Sequence, residues 1–396
     1  MPVARPVTAL LYVQHLLGIG HLVRARALAR GLEAAGIRVV LVSGGMPVPI
    51  LDLGVSVSCF EQLPPVRAAD ETFKLLVDET GNAVDEPLKA RRRERLLAIF
   101  DRERPDAVLT ELYPFGRRQM RFEIEPLLER ARSLREKAGL PVIVSSVRDI
   151  LVPPTRAGRT EEIIERIRHY YDLVLTHGDQ DVIPFERSFA RASEIAGVTR
   201  STGYVVAPVP TRQGPGAPGY DEVIVSAGGG AVSEDLLQAA VGARVLCSLR
   251  ERPWRVLVGH NYPEADFVSC RAAVPPGVLV ERARADFTQL LANCALSISQ
   301  GGYNTLTEIL ATGARAVCVP FAGGRESEQT LRCRCLAARG VLQMVEYDAL
   351  SAGQVALAIG RALESQPVQG HVVDTGGAAR SAALLLEAVQ SRRTVA

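Results

Sequence analysis

The 396-residue chain has no C-x-x-C pair, no apolar run near the ~18 residues a membrane span needs, and no excess of either charge. Its 46 basic and 44 acidic residues nearly cancel, aromatic residues make up only 5%, and no basic stripe is visible. That composition argues against nucleic-acid binding. The seven cysteines are odd in number, and most lie in apolar strand or helix contexts. They read as buried thiols in a reducing compartment. Cys333 and Cys335, two apart on an expected helix, point to different faces, which argues against a metal pair. The start, M-P-V-A-R-P-V-T-A-L, lacks the long apolar core of a signal peptide, so the expectation is a soluble, cytoplasmic protein. No repeat of fixed period and no low-complexity tract is present.

What is there is alternation. Short β-rich apolar runs and helical patterns follow one another from end to end, which predicts an α/β protein of parallel sheets built from βαβ units. Strands are expected at Val7–Gln14, Ile37–Ser43, Asp106–Thr110, Pro141–Val147, Asp172–Thr176 and Gly203–Val206, with helices at His21–Ala35, Arg121–Lys137 and Glu161–Tyr170. Residues 208–219, P-V-P-T-R-Q-G-P-G-A-P-G, have the composition of a linker. Beyond it strands are expected at Glu222–Ser226, Arg255–Gly259, Val278–Val280, Ala295–Ile298 and Ala314–Pro320. Two domains of near-equal size follow, residues 1–207 and 220–396, facing each other across a cleft. The last helix, about Ala378–Val389, either stays with the second domain or returns to brace the first. Leu63–Arg95, with its Arg91-Arg92-Arg93 cluster, shows no clear strand signal. It reads as a solvated charged helix or a loop near an acceptor site.

The most telling segment is S-Q-G-G-Y-N-T-L-T-E-I-L-A-T-G, from Ser299 to Gly313, where an apolar strand opens into an amphipathic helix. Gly301 and Gly302 let backbone come close to a ligand. Asn304 or Thr305 is expected to cap the helix, so its free N–H groups and positive dipole end face the loop. That makes an anion site suited to phosphate or diphosphate. Glu308, one turn in, is badly placed for a phosphate and better matched to a neutral diol such as a ribose.

Other loops follow strands. S-A-G-G-G-A-V, from Ser226 to Val232, exposes several N–H groups that suit a phosphate, or is an ordinary strand-to-helix turn. V-P-F-A-G-G-R-E-S-E-Q-T places Glu328 and Gln329 in the first turn of a helix, where they contact sugar hydroxyls or sit on a capped surface helix. In the first domain, L-G-I-G-H-L-V-R uses Gly18 and Gly20 for a tight turn and brings His21 to a helix start beyond the strand ends. A helix N-terminus disfavours imidazolium, so His21 is expected neutral and able to take a proton, or else serves in packing. Glu111, Arg117 and Arg118 follow one strand, Arg148 and Asp149 the next, and His177 with Asp179 the one after. These line an acceptor pocket or form salt-bridged loops.

Together these motifs resemble a GT-B glycosyltransferase, in the branch of the enzyme that adds N-acetylglucosamine to the undecaprenyl-linked peptidoglycan precursor, with a family 28 type of C-terminal domain. The chain resembles a group of bacterial predicted glycosyltransferases that share Y-V-Q-H-L-L-G-I-G-H, T-E-L-Y-P-F-G-R-R, S-S-V-R-D-I-L and S-Q-G-G-Y-N-T-L-T-E. The likeness spans nearly the whole chain. It implies two Rossmann-like domains with the donor nucleotide on the second. It implies that Ser226, Gly228, Gly229, Gly230, Gly301, Gly302, Asn304 and Thr305 hold the donor diphosphate, that Glu308 holds the ribose, and that Glu328 and Gln329 approach the donor sugar. His21 matches the first-domain histidine assigned as base or acceptor-site residue, and Gly18, Gly20, Arg24, Glu111, Arg117, Arg148, Asp149 and His177 fall on the acceptor side. Of the fuller G-G-x-G-G-H pattern in the peptidoglycan enzyme only G-I-G-H remains here. Arg24 completes a G-x-G-H-x-x-R loop that sugar-nucleotide hydrolases also carry, so the loop does not separate transfer to an alcohol from transfer to water.

The expected function is an inverting transferase moving a hexose or N-acetylhexosamine from a nucleotide-diphosphate sugar, uridine-linked, to a hydroxyl. Alternatives are a sugar-nucleotide hydrolase or epimerase, or a non-catalytic nucleotide-sugar-binding protein. The nucleotide sugar is a co-substrate and no other cofactor is expected. By resemblance the acceptor is a lipid or cell-envelope glycan precursor, with peripheral association at the inner face of the membrane. Asp179-Gln180-Asp181 spells the D-x-D of metal-dependent GT-A transferases, but a helix-end phosphate site makes a metal unnecessary, and none is expected.

Overall fold

The structure is a computed structural model that describes residues 5–48, 57–70, 73–153, 156–226, 234–259, 262–321, 328–365 and 373–395. The chain forms two compact units, Met1–Val206 with Gly376–Ala396, and Ala207–Thr375.

In the first unit the strands are β1 (Thr8–Val13), β2 (Arg38–Ser43), β3 (Cys59–Gln62), β4 (Arg67–Ala68), β5 (Leu76–Val77), β6 (Ala107–Glu111), β7 (Val142–Arg148), β8 (Leu173–His177) and β9 (Thr199–Ser201). Seven of them make one sheet in the order β3-β2-β1-β6-β7-β8-β9, and every pairing in it is parallel. Segments such as T-A-L-L-Y-V are buried throughout because both faces of the sheet are covered by core clusters. The edge strand β3, C-F-E-Q, is half-buried and carries no apolar run, so it gave no strand signal. No strand forms at 203–206. There Val205 makes a single bridge to Gly376, and Gly377 N–H donates to the Tyr204 carbonyl at 3.1 Å.

That contact brings in the last helix, Gly377–Val395, which belongs to the first unit. Leu385 and Val389 are fully buried in its core, and a Cβ on Gly31 would lie 2.4 Å from the Ala378 Cβ. Each such aliphatic side chain contributes about 1.5–3 kcal/mol on burial. Arg393 also reaches the buried Asp106 carboxylate at 2.9 Å.

The segment without strand signals holds the small antiparallel β4–β5 ribbon and the helix Glu86–Glu103. Asp85 caps this helix by accepting from Leu88 N–H at 2.8 Å. Its buried side is Leu88, Arg92, Leu96, Ile99 and Phe100, so the middle arginine of the triple lies on the apolar stripe rather than in solvent.

The second unit has a six-stranded parallel sheet in the order β12-β11-β10-β13-β14-β15. Its strands are β10 (Val223–Ser226), β11 (Trp254–Val258), β12 (Val278–Arg282), β13 (Leu296–Ser299), β14 (Ala316–Cys318) and β15 (Gln343–Met344). The stretch 207–219 has no regular element. Asn293 ties it down, accepting from Gln213 N–H and donating to the Pro218 carbonyl, both at 2.8 Å.

In each sheet the strand order reverses once, between β1 and β6 in the first and between β10 and β13 in the second. Open α/β sheets bind ligands at the carboxyl ends of the strands flanking such a reversal.

Candidate active site

In the first unit the reversal is bridged by side chains. The loop after β1 runs into the helix Gly20–Ala34, whose second residue is His21, and β6 ends on Glu111. His21 Nδ1 lies 2.8 Å from Glu111 Oε2, and Arg24 donates to Glu111 Oε1. An ionised carboxylate only accepts, so Nδ1 carries the proton and Nε2 holds a lone pair. Arg24 and Glu111 are buried, whereas 17% of the His21 side chain is exposed. The ring is thus held by buried partners while part of it remains exposed.

Burial is the main reason His21 is held neutral, with its pKa near 3. Glu111 works against that shift, while Arg117 and Arg24 add to it. The neutrality expected from the helix end therefore has burial as its chief cause. Burial alone would raise the Glu111 carboxyl, but Arg24, His21 and Arg117 outweigh it and hold it well below the usual carboxylate range. Arg117 is lowered to about 10, first by burial and, among charges, by Arg148, against the pull of Glu111. Its Nε donates to the Gln14 carbonyl at 2.6 Å. Arg117 and Leu112 both have positive φ, 58° and 67°, in the turn after β6. Two non-glycine residues in that region within one turn mark a backbone held by its surroundings.

His21, Arg24, Glu111, Arg117 and Arg148 thus form one electrostatic group. His177 and Asp149 are placed deeper. Both His177 nitrogens meet hydroxyls, Ser146 at 2.8 Å and Thr202 at 2.9 Å, and burial lowers its pKa to about 3. Asp149 accepts from Tyr204 OH at 3.1 Å and from Ile150 N–H at 2.9 Å. Gly18 has open space where a Cβ would be, and Gly20 begins the helix. Asp179 accepts from Asp181 N–H at 2.9 Å, a turn-closing role. Among the described residues no group of three or more His, Cys, Asp or Glu side chains could hold a metal.

The second unit repeats the plan. Ser226 ends β10 and pairs in register with Ser299, the end of β13. Gly228, Gly229 and Gly230 lie outside the described residues. After Ser299 the chain enters the helix Tyr303–Thr312, closed at Gly313 in the left-handed conformation. Its N-cap is Gly302, two residues before Asn304 and three before Thr305, and no side chain caps it. Asn304 and Thr305 lie in its first turn, at the positive end of the helix dipole.

The two glycines differ in role. A Cβ on Gly301 would fall 2.3 Å from Cys333 Sγ, whereas nothing lies within 4 Å of one on Gly302. Gly301 therefore admits the neighbouring helix Glu328–Ala338, and Gly302 is the position open to a ligand.

Glu308, half-buried, accepts from Thr288 Oγ1 at 3.0 Å. Burial pushes its carboxyl up to about 7, and the Thr288 hydroxyl pulls back against that. Glu328 accepts from the fully buried Arg332 at 2.7 Å, and Arg332 lies 5.3 Å from the Tyr303 ring centroid. Gln329 Oε1 accepts from Phe321 N–H at 3.2 Å.

Against known families, residues 227–370 match the model described as Glycosyltransferase family 28 C-terminal domain. That match lies within the second unit. Within that region lie β13, the helix at Tyr303 and Glu308. A protein of an Exiguobacterium species, described as UDP-N-acetylglucosamine--N-acetylmuramyl-(pentapeptide) pyrophosphoryl-undecaprenol N-acetylglucosamine transferase, is 30% identical over 146 residues, 37% of this chain and 40% of that protein. The chain thus matches less than half the length of that relative. Among solved structures, the glycosyltransferase SnogD from Streptomyces nogalater superposes with a TM-score of 0.61 at 17% identity, covering 97% of this chain and 100% of that one. MurG of Acinetobacter baumannii gives 0.58 at 15% identity, covering 96% and 99%. These likenesses show that the chain has the GT-B fold.

Sequence reasoning missed Thr288, Arg332 and Cys333, whose roles arise from contacts between helices. It also missed the buried network around Arg92, which donates to Glu123 at 2.7 and 2.8 Å, to Gln14 Oε1 at 2.9 Å and to the Gly44 carbonyl at 2.8 Å. Its one available signal was the spacing Leu88, Arg92, Leu96, Ile99, which puts Arg92 on an apolar helix stripe.

Proposed function

We propose that the protein is an inverting, metal-independent glycosyltransferase that moves a hexose or N-acetylhexosamine from a uridine diphosphate sugar to an acceptor hydroxyl. In this reading His21 Nε2 takes the hydroxyl proton as the acceptor oxygen forms its bond to the anomeric carbon from the face opposite the diphosphate. The bond from that carbon to the diphosphate breaks, and the electron pair leaves with the phosphate oxygen. Glu111 stabilises the imidazolium and keeps Nδ1 protonated. The positive dipole end of the helix that starts at Tyr303 stabilises the charge on the departing diphosphate, so no metal is needed there. Glu308 accepts from the ribose, and Glu328 and Gln329 lie toward the sugar.

The observation that carries the proposal is the His21–Glu111 pair at a strand-order reversal, in which Nε2 has no hydrogen-bond partner among the described residues. The family 28 match supports the donor side. The Exiguobacterium relative's name specifies a lipid-linked acceptor, and a lipid or envelope-glycan hydroxyl at a membrane face is the acceptor class we propose. No helix among the described residues is long and apolar enough to cross a membrane. Another solved relative of this fold, the rhamnosyltransferase SpnG, holds thymidine diphosphate, so donors with both bases belong in the test.

The test is a thermal-shift and calorimetric screen of nucleoside diphosphates and their sugars, followed by turnover with and without EDTA. Uridine diphosphate raising the melting temperature, with EDTA-resistant sugar transfer, is the expected result. Absence of binding by any nucleoside diphosphate overturns it. Release of free sugar without an acceptor replaces transfer by hydrolysis.

A further inference from the structure

Among the described residues Glu308 is an acid without a cation. Among the described residues its carboxylate has one hydrogen-bond partner, the Thr288 hydroxyl at 3.0 Å, and no basic side chain forms a salt bridge with it. Thr288 sits in the first turn of the helix Phe287–Asn293. That helix is fixed at both faces. Leu290 is fully buried against Ile224 and Leu257, and Asn293, also fully buried, binds residues 213 and 218. The hydroxyl is therefore a donor held in place by packed structure rather than a mobile surface group. It donates to Oε1, and among the described residues no hydrogen bond reaches Oε2.

We propose that Thr288 is a positioning residue: it orients the Glu308 carboxylate to receive a ribose 2′,3′-diol, so that the protein selects ribonucleotide over 2′-deoxyribonucleotide donors. The proposal rests on the reading that Glu308 faces the nucleotide sugar. A 2′-deoxyribose lacks one of the two hydroxyl donors, and a carboxylate already committed on one oxygen has no second protein donor to replace it. By donating to Oε1, Thr288 also favours the ionised, accepting form against the burial that opposes it. A valine at 288 has the same shape and no hydroxyl, so it removes the donor with little change in packing.

The experiment measures, by calorimetry on the full chain, the affinities of uridine diphosphate and 2′-deoxyuridine diphosphate for wild type, T288V, T288S and E308Q. The expected wild-type preference for the ribonucleotide is about tenfold, the factor carried by one charge-assisted hydrogen bond. E308Q abolishes most of it. T288V weakens ribonucleotide binding about three- to tenfold and leaves deoxyribonucleotide binding unchanged, while T288S, which restores a hydroxyl, keeps the wild-type ratio. Because the ratio is taken within one preparation, a partly unfolded variant does not imitate the loss. An unchanged ratio in T288V, or a wild type that does not discriminate, overturns the role of Thr288 and leaves nucleotide binding standing. A wild type that binds neither nucleotide overturns the donor-site reading itself, and the proposal with it.

Discussion

His21 Nδ1 lies 2.8 Å from Glu111 Oε2, and the pair spans the point in the first sheet where strand order reverses between β1 and β6. The carboxylate fixes the tautomer, and Arg24 on its other oxygen fixes the carboxylate. Each of the three is positioned by a different constraint: a glycine turn, a strand end and a buried helix face.

Removal of the imidazole should cost chemistry more than stability. H21A is expected to lower kcat for sugar transfer by about 10²–10⁴, the usual range for a general base, with a melting temperature close to wild type. E111Q should lose both, because it leaves Arg24 buried without its charge partner, a change worth about 3–5 kcal/mol in buried pairs. Initial rates and thermal unfolding of the two variants, side by side, check this.

Arg92 and Glu123 are both fully buried and paired at 2.7 Å. R92M should destabilise the first unit by about 3–5 kcal/mol, since it strands the Glu123 carboxylate in the core. Denaturant unfolding followed by hydrogen exchange at β1 and β6 measures it. A loss under 1 kcal/mol would mean that the network relaxes around the deletion.

The glycine pair before the helix at Tyr303 should respond unequally. G301A meets Cys333 Sγ and is expected to cost about 1–3 kcal/mol by overpacking. C333A in the same chain should restore part of that loss, since the two sites touch. G302A meets nothing within 4 Å, so its stability should stay within about 0.5 kcal/mol while nucleotide binding weakens.

Acid should unfold the first unit through its histidines. Burial lowers His15 to about 4, and His21 and His177 to about 3. An unfolded histidine titrates near 6.5, so below that pH the unfolded chain binds more protons than the folded one. The stability these rings contribute is whole above about pH 6.5 and is lost as pH falls toward 4 and then 3. Each should contribute a slope of about 1.4 kcal/mol per pH unit inside its window. Melting temperatures between pH 7 and pH 5 should fall accordingly.

Glu308 should titrate with the opposite sign. Its folded pKa is raised to about 7, so its contribution to stability is full below the unfolded value near 4.3 and is lost as pH rises through 7. E308Q should therefore be more stable than wild type at pH 8. Nucleotide affinity should increase with pH through 7, because ribose hydroxyls bind the ionised form. E308Q should remove the part of that increase that does not belong to the diphosphate itself.

The sequence by itself determined the alternation of strands and helices, the parallel sheets, the break near residue 207 and the two strand-to-helix turns that carry His21 and Gly302. These are local: apolar runs, glycine turns and a proline-rich linker act over a few residues, and their chemistry is visible in order along the chain. Tertiary structure alone decided the rest. Glu111 meets His21 across 90 residues, Thr288 meets Glu308 across 20, and Gly301 is glycine because Cys333 arrives from a later helix. It also carried the last helix to the first unit, where the apolar side chains Leu385 and Val389 find a core. Residue type and spacing encode which side chains are available. Which of them meet depends on packing, because burial and charge pairing act between elements brought together only when the sheets form.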